Sequence, residues 1–350
     1  MDGRALLFAW LLLLSAASVL AVDSLTISNE ALFLAFQERV NRGEVPVDVV
    51  LTCDIDLSTL GFTKPIGKET VNATTCIAYS GTFDGQGHTI RGMNMTGEGS
   101  IGLFCELSDA TVMNLFLEAD SLIGNTVGTL SGWASNRLTL KNVHSSGNVL
   151  CETDAGGLVG IANVTSLSVE NCSNRASITA ALPEVETLFD RNWATAGGLF
   201  GTAEIYGNAA VKNCWNEGVL KAEVTNYPEV EIGGLIGLFA TKDETATSSV
   251  KFTNCTNAND AECIMVDSCM IGGVIGHVNT SSNFTVLTFE QVQNTGVAQA
   301  SNFSGNIIGG LIGIMKPYGN SLVTFTQCKS LGTTWSHDGI IPEGEETEVG

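Results

Sequence analysis

The chain has 350 residues, of which 16 are Lys or Arg and 37 are Asp or Glu, so its formal net charge is −21. Only 15% of the residues are charged, whereas 44% are apolar and 39 residues are glycine. This apolar content is enough to form a core, which excludes a wholly disordered chain. A strongly acidic chain with few cations is a poor partner for nucleic acid or an anionic membrane, so we expect neither as a ligand.

Residues 1–21 have the pattern of a secretory signal peptide. Arg4 precedes the apolar run ALLFAWLLLL, and the small residues that signal peptidase accepts end at Ala21, after which we expect cleavage. A buried helix is the alternative interpretation of the same run. No later stretch has the roughly 18 apolar residues that a membrane-spanning helix needs. The sequence therefore predicts a secreted protein, or one at the cell surface, without a transmembrane segment.

Residues 22–44 are predicted to form a short helix that caps the fold. Ser28 can act as the N-cap and Gly43 can end the helix, and one helical face carries apolar side chains: Leu32, Phe33, Phe36 and Val40. Apolar and mostly polar residues then alternate from 47 to 57, which predicts a first strand. A helix over this strand would cover an otherwise open sheet edge.

Two short blocks alternate along the rest of the chain. A glycine-rich block recurs as VGTLSG (127–132), AGGLVG (155–160), AGGLFG (196–201), IGGLIG (232–237), IGGVIG (271–276) and IGGLIG (308–313). A second block follows each of them as LKNV, VENC, VKNC, FTNC, FEQV and FTQC. Such regular self-similarity is the sequence signature of a repeat architecture.

The repeat units have the sequence pattern of short strands. Segments such as SLSVENC and NAAVKNC alternate apolar and polar residues, which is the period of a strand and not of a helix. One unit cannot bury its apolar face alone, whereas stacked units can. We therefore predict an all-β fold, a parallel β-helix (β-solenoid) over residues 45–335. Residues 336–350 would form an acidic tail, or the start of a chain that continues further.

Alignment of the second blocks places one amide residue in a column. We expect these side chains to bond between neighbouring coils as an amide ladder, because stacked amides form such ladders in cross-β structure. The next position is always apolar or cysteine and is expected to point inward. The predicted ladder consists of Asn114, Asn142, Asn171, Asn213, Asn254, Gln291 and Gln327.

The pattern GGLVG followed by NC and a small polar turn resembles the GLUG motif, a repeat of secreted bacterial and protist proteins. The preceding YSGTFDGQGHTIRGM (79–93) resembles the opening coil of GLUG proteins and of pectin-lyase-like β-helices. The resemblance covers about residues 45–335. It implies a right-handed β-helix on a surface or secreted protein, often in adhesion or carbohydrate contact. Two departures are the loss of cysteine at Val292 and the variable spacing caused by inserted loops.

Two insertions, at 181–195 and 223–231, occupy the same place in neighbouring units. Loops on one face of a solenoid often form its binding surface. The alternative interpretation is that these insertions are solvated surface loops without a binding role. The candidate binding residues are Trp193, Tyr227, Glu184, Asp190 and Arg191, with Glu186 and Glu229 beside them. The ligand would be a carbohydrate or another surface protein.

Signs of catalysis are few. The sequence lacks His-Glu-x-x-His and Cys-x-x-Cys, and its four histidines are scattered, so we predict no metal and no cofactor. The compact acidic candidates are Asp54 with Asp56 and Asp84 with His88, which we interpret as an outer strand face and a turn. We predict an adhesion, glycan-binding or structural module without catalytic residues. The alternative is a polysaccharide lyase or a glycoside hydrolase on the same scaffold.

Cysteines and sequons agree with an extracellular protein. Cys53 and Cys76 are predicted to form a disulfide, whereas Cys172, Cys214 and Cys255 are expected to stack as buried thiols. Eight Asn-x-Ser/Thr sequons are present. Asn171 and Asn254 belong to the predicted ladder and should remain unglycosylated. We expect glycans at the sites in polar connecting segments, which are Asn72, Asn279, Asn283 and Asn302.

Overall fold

The structure is a computed structural model that describes residues 23–70, 73–181, 193–223, 229–242, 247–264, 268–282, 284–302, 306–317, 320–332 and 334–338. These residues form one helix and a 29-stranded sheet. Every strand pairing is parallel and joins equivalent positions of successive coils. The predicted fold class, an all-β parallel β-helix with a short N-terminal helix, is confirmed.

The elements of the described residues follow one another in three groups of coils. The N-terminal part contains β1 (Asp23–Ile27), α1 (Glu30–Asn41), β2 (Val47–Leu51), β3 (Ile55–Asp56), β4 (Tyr79–Thr96), β5 (Ser100–Ile101), β6 (Phe104–Gly128), β7 (Ser131–Gly156), β8 (Val159–Glu170), β9 (Ser173–Asn174) and β10 (Ser177–Ala181). The next coils contain β11 (Trp193–Gly197), β12 (Phe200–Lys212), β13 (Trp215–Asn216), β14 (Leu220–Glu223), β15 (Glu229–Gly233), β16 (Ile236–Thr241), β17 (Thr247–Thr253), β18 (Thr256–Asn257) and β19 (Ala261–Ile264). The last coils contain β20 (Cys269–Gly272), β21 (Ile275–Thr280), β22 (Phe284–Glu290), β23 (Gln293–Asn294), β24 (Ala298–Asn302), β25 (Ile307–Gly309), β26 (Ile312–Pro317), β27 (Asn320–Thr326), β28 (Lys329–Ser330) and β29 (Thr334–Asp338). The predicted signal peptide lies outside the described residues, and β29 extends into the predicted tail.

The N-terminal helix begins one residue later than predicted. Its N-cap is Asn29 and not Ser28, because the Asn29 side chain accepts a hydrogen bond of 3.0 Å from the backbone N–H of Leu32. This start turns Phe33, Phe36 and Val40 into the core and leaves Leu32 exposed. Three of the four apolar residues that the sequence predicted to face the core are therefore buried.

A strand that the sequence did not reveal precedes the helix. β1 pairs in parallel with β2, residue for residue from Asp23 with Val47 onward. The predicted strand at 47–57 is thus the second strand, and it breaks into β2 and β3. Helix α1 closes the interior of these first coils, since the Phe36 ring lies 5.7 Å from Tyr79 and 6.0 Å from Phe83.

The interior is built from columns of identical repeat positions. Phe252, Phe289 and Phe325 lie on successive coils, with ring centroids 5.1 and 4.9 Å apart and nearly parallel planes. Because side chains alternate along a strand, the residues between two inward columns form a column on the outer surface. The fold therefore repeats every outward surface position from coil to coil.

The outer amide column lies at the turn between strands. All seven residues of the predicted ladder have left-handed backbone, with φ between 51° and 56°. Asparagine tolerates this conformation better than most residues. Asn142, Asn171, Asn213 and Asn254 each donate from Nδ2 to the Oδ1 of the preceding coil's asparagine, at 2.8, 3.1, 3.0 and 3.0 Å. Gln291 and Gln327 form a separate pair at 3.1 Å.

A second asparagine ladder lies inside the coils, three residues after the first. Asn174, Asn216, Asn257 and Asn294 are at most 1% exposed, and the Nδ2 of each of the first three donates to the Oδ1 of the next at 2.9 Å. Each Nδ2 also donates to the carbonyl two residues later, as Asn216 does to Gly218 at 3.0 Å. We call this column the inner ladder. It satisfies polar groups that would otherwise be buried without partners.

The predicted disulfide between Cys53 and Cys76 is wrong. Cys76 bonds to Cys105, and Cys53 is a free, half-buried cysteine. The reason is the path of the chain: the N–H groups of Ile77 and Cys105 bond to the carbonyls of Gly67 and Ile66, which brings Cys76 beside Cys105. A second disulfide joins Cys263 and Cys269.

The stacked thiols form the interior column beside the outer ladder. Cys172, Cys214 and Cys255 are free and buried on successive coils. Burial raises the pKa of the Cys214 thiol far above its ordinary value. Since the thiolate is the reactive form, these cysteines should resist alkylation in the folded protein.

Glycan occupancy can test the two positions where sequons coincide with the outer ladder. We expect Asn171 and Asn254 to be unglycosylated, because a glycan would replace one Nδ2 hydrogen with a bulky sugar at the atom that bonds to the preceding coil. Glycopeptide mass spectrometry of the protein secreted from a glycosylating host measures this. Substantial occupancy at either site in folded protein would contradict the prediction.

The structure changes the expectation for the remaining sequons. Asn279 was predicted to lie in a connecting segment, but it lies in β21, half-buried, with a buried Oδ1. We therefore no longer expect a glycan there. Asn94 is exposed on β4 and is the better candidate in the described part of the chain. Asn302 ends β24, whereas Asn72 and Asn283 lie outside the described residues.

Candidate functional site: the outer cleft

The glycine-rich block folds each coil back on itself, so that two of its strands pack together with buried polar side chains between them. Ala194 and Ala196 of β11 face the core, so Thr195 between them faces outward. After the Gly198–Leu199 corner, β12 returns so closely that the hydroxyls of Thr195 and Thr202 are 3.2 Å apart. We call the closed seam between β11, β15 and β20 on one side and β12, β16 and β21 on the other the outer cleft.

The floor of the outer cleft carries a buried carboxylate. Asp154, one coil before Thr195, is 1% exposed. It accepts hydrogen bonds of 2.9 Å from the Thr195 hydroxyl and 2.7 Å from the Thr202 hydroxyl. These bonds fix the carboxylate and tie the two cleft walls together.

A carboxyl–imidazole pair lies farther along the same floor. Glu231 follows Thr195 in register, and its Oε1 is 2.5 Å from Nδ1 of His277 on the opposite wall. Glu231 is 4% and His277 is 6% exposed. Two of their atoms, Glu231 Oε2 and His277 Nε2, are buried without a hydrogen-bond partner in the described structure.

Burial shifts the titration of the Glu231 carboxyl. It raises the pKa of the Glu231 carboxyl above its ordinary value, although the hydrogen bond from His277 partly lowers it. Negative charges at Glu229 and Asp154 raise it further. Glu231 is thus a carboxyl that holds its proton more firmly than an exposed glutamate.

The raised pKa predicts the pH dependence of stability. Glu231 titrates near 4.5 in the unfolded chain and higher in the folded protein. Its stabilising contribution is therefore complete below pH 4.5 and is lost as the pH rises through the folded pKa. We expect Glu231→Gln to flatten this decline in urea unfolding experiments across that range. Glu290→Gln is the control and should keep the wild-type profile, because its side chain is 40% exposed and it is not among the groups that shift the pKa of Glu231. Identical profiles for Glu231→Gln and wild type would refute the assignment.

The mouth of the outer cleft contains an exposed aromatic ring between carboxylates. Trp193 is 37% exposed and is in register with Glu229 of the next coil. Strand alternation places Glu204 across the cleft from Trp193. Lys242 lies 3.1 Å from Glu204, and Lys316 lies 3.9 Å from Glu229.

Of the candidate binding residues predicted from sequence, the structure describes Trp193 alone, and it lies at this mouth. Glu184, Asp190, Arg191 and Tyr227 lie outside the described residues. Residues 182–192 and 224–228 connect directly to β11 and β15, which form one cleft wall. That the predicted side chains lie together at the mouth of the outer cleft stays a prediction.

The acidic pairs near the N-terminus tie neighbouring coils together. Asp54 lies 3.1 Å from His88, and Asp56 lies 3.0 Å from Arg91. The Thr89 backbone N–H and His88 lower the pKa of Asp54, while hydrogen bonds from Ser58 and Arg91 lower that of Asp56 to about 2. Asp84 accepts a hydrogen bond of 3.0 Å from Asn114. Asp54 and Asp56 are partly or fully exposed and their lowered pKa values keep them ionised, which fits the structural interpretation.

Sequence reasoning missed the floor residues of the outer cleft. Asp154, Thr195 and Glu231 each stand two residues before a Gly-Gly pair, and this recurrent polar position was the available signal. A strand pattern marks such positions as outward and hence as solvated. It does not reveal that the next strand folds back over them.

Across the described ranges, no group of three or more His, Cys, Asp and Glu side chains is placed to hold a metal ion. In the same part of the chain, no helix has the length and apolar character needed to cross a bilayer.

Comparisons with known proteins support the architecture. No family model matches the chain. A stretch of 109 residues is 36% identical to halomucin of Haloquadratum walsbyi and covers 30% of this chain but 1% of halomucin. The crystal structure of a candidate immunoglobulin A1 protease from Bacteroides ovatus superposes with a TM-score of 0.58 and 15% identity, over 87% of this chain and 84% of that one. At this identity the likeness shows a shared fold.

Proposed function

We propose that the chain is a secreted or cell-surface adhesion module that binds carbohydrate at the mouth of the outer cleft. The observation that carries the proposal is the exposed Trp193 ring, with Glu229 beside it on the next coil and Glu204 on the opposite wall. Aromatic rings stack on the apolar face of a sugar, and carboxylates accept hydrogen bonds from its hydroxyls. The insertions that connect to this wall would extend the contact surface.

An extracellular location is part of the proposal. Residues 1–21 have the pattern of a signal peptide, and the bonds Cys76–Cys105 and Cys263–Cys269 are typical of oxidising compartments. A mucin works outside the cell, so the similarity to a protein named halomucin agrees with this location. We further propose that the repeats are related to the GLUG motif, whose proteins are secreted or displayed on surfaces.

A hydrolase is the second candidate function, because Glu231 has the raised pKa of a general acid. Asp154 lies two coils away, about 9.6 Å at the usual strand spacing. Inverting glycosidases separate their two carboxyls by about 6.5–9.5 Å. Binding is nevertheless the better supported function, since both carboxyls are buried and two threonines hold Asp154.

The test uses the purified chain without residues 1–21 on a glycan array, beside an assay for release of reducing sugar. We expect binding without release, and at least a tenfold loss of affinity in Trp193→Ala. Phe284→Ala is the matched control, because Phe284 is also 37% exposed and lies outside the cleft walls. Sugar release that Glu231→Gln abolishes would favour the hydrolase. Binding that Trp193→Ala leaves unchanged would contradict the proposed mouth.

A further inference from the structure

An aromatic stripe runs across several coils on another part of the solenoid surface. The Phe116 and His144 rings are stacked with centroids 4.9 Å apart, and His144 and Trp215 are 5.7 Å apart. The coil between His144 and Trp215 carries the small Ser173 at this position, so the Trp215 ring reaches across it. Phe116 is 43% exposed. We call Phe116, His144 and Trp215 the aromatic stripe.

The stripe has a hydrogen-bonding border on one side. The outer ladder stands two residues before each stripe position, so that Asn213 lies beside Trp215 and Asn254 lies on the next coil. An amide offers two N–H donors and two acceptor lone pairs. The ladder uses one donor and one acceptor of Asn213 and one donor of Asn254, so each amide has capacity for a ligand.

A depression of about 380 Å³ lies where the stripe meets this border. Its lining combines an indole, two amides, a carboxylate and a hydroxyl from two neighbouring coils: Trp215, Asn213, Asn254, Glu217 and Thr256, with Cys214 and Ala258. Arg175 holds the Glu217 carboxylate at 2.6 Å. Pockets of this kind, with apolar area and a few fixed polar groups, are typical of ligand sites.

The electrostatics of the stripe favour an uncharged ligand. Burial, with Arg175 nearby, lowers the pKa of His144, so its ring is neutral at neutral pH and stacks without charge. The chain as a whole carries −21 charges, which disfavours acidic polysaccharides and nucleic acids. A fully apolar partner would leave the amides and Glu217 without hydrogen bonds.

We propose that the aromatic stripe is a second carbohydrate-binding site, specific for neutral glycans. The apolar face of a sugar ring stacks on Trp215, and its hydroxyls bond to Asn213, Asn254 and Glu217. A glycan chain that follows the coils continues along His144 and Phe116. This inference goes beyond the proposed function, because it concerns a different part of each coil and does not need the cleft mouth to bind anything.

The competing explanation is that the rings only stabilise neighbouring coils. Titration calorimetry with neutral oligosaccharides (cello-, xylo-, manno- and chito-oligosaccharides) and with polygalacturonate separates the two. All measurements are made in the Trp193→Ala background, so that the cleft mouth does not contribute. We expect at least one neutral oligosaccharide to bind and polygalacturonate not to bind.

Variants of the stripe then localise the site. Trp215→Ala should weaken binding at least tenfold, whereas Trp215→Phe, which keeps a ring, should weaken it less. Asn254→Gly keeps the left-handed backbone of φ 51° and removes the amide, so it reports on binding even if Trp215→Ala fails to fold. No neutral oligosaccharide bound in the Trp193→Ala background would overturn the inference. Binding unchanged by both Trp215→Phe and Asn254→Gly would also overturn it.

These experiments distinguish failure of the cleft mouth as a binding site from failure of the aromatic stripe. If Trp193→Ala abolishes all binding of the wild-type chain, the cleft mouth is supported and the stripe is not. If the affinity of Trp193→Ala equals that of wild type and is lost on Trp215→Ala, the stripe is supported and the mouth is not.

Discussion

An Asn216→Ala variant is expected to lose at least about 4 kcal/mol of unfolding free energy, because Asn216 occupies the middle of the inner ladder. Its Nδ2 donates to Asn257 Oδ1 at 2.9 Å and to the Gly218 carbonyl at 3.0 Å. Its Oδ1 accepts from Asn174 Nδ2 at 2.9 Å and from the Gly218 N–H at 3.1 Å. Alanine leaves all four of these groups without this partner, in an interior where an unpaired polar group costs about 1–3 kcal/mol.

Urea unfolding of the chain without residues 1–21, followed by circular dichroism, measures this loss. Asn213→Gly is the matched control, since it removes an amide from the outer ladder three residues earlier. Glycine adopts the Asn213 backbone, with φ of 52°, without strain. The outer amide is partly solvated, so we expect a loss below about 1.5 kcal/mol. Equal losses in the two variants would show that the inner ladder has no special role.

The sequence predicted the solenoid because its evidence is periodic. Alternation within segments identified strands, and recurrence of the glycine block identified stacking. The outer ladder followed from alignment of the same blocks. The inner ladder was equally visible as a second asparagine three residues later, in NCSN, NCWN, NCTN and QVQN. It was missed because a polar residue in a strand is ordinarily assigned to the solvated face.

Features that depend on a single long-range contact were not predictable in this way. β1 has no repeat partner in the sequence, and its pairing with β2 depends on the turn of α1. The disulfide partner of Cys76 depends on which coil lies beside it, since sequence alone does not fix disulfide connectivity. The same holds for the outer cleft, where Glu231 and His277 are 46 residues apart along the chain.

The second glycine of the Gly-Gly pair is the basis of the other prediction with a large effect on stability. A Cβ at Gly234 would overlap the Gly273 carbonyl oxygen of the next coil and come within 2.6 Å of Asn257 Cβ in the inner ladder. Neither neighbour can move away, because both belong to the hydrogen-bonded stack. The sequence shows glycine here in five successive coils, at 157, 198, 234, 273 and 310. The second glycine thus leaves the room that the inner-ladder asparagine needs.

We therefore expect Gly234→Ala to lose about 3 kcal/mol or more, or to prevent secretion, because overpacking of a rigid core costs at least about 1–3 kcal/mol and the ladder bonds would break as well. Gly87→Ala is the comparison variant without a clash. Gly87 has a positive φ of 83°, which Gly234 does not have, and a Cβ there meets nothing within 4 Å. It should lose only the roughly 1–2 kcal/mol of the left-handed backbone. Secreted yield and urea unfolding report both variants, and a Gly234→Ala protein as stable as Gly87→Ala would mean that the coils can separate at this corner. In that case the walls of the outer cleft would not be rigid, and the buried pair of Glu231 and His277 would be accessible to solvent.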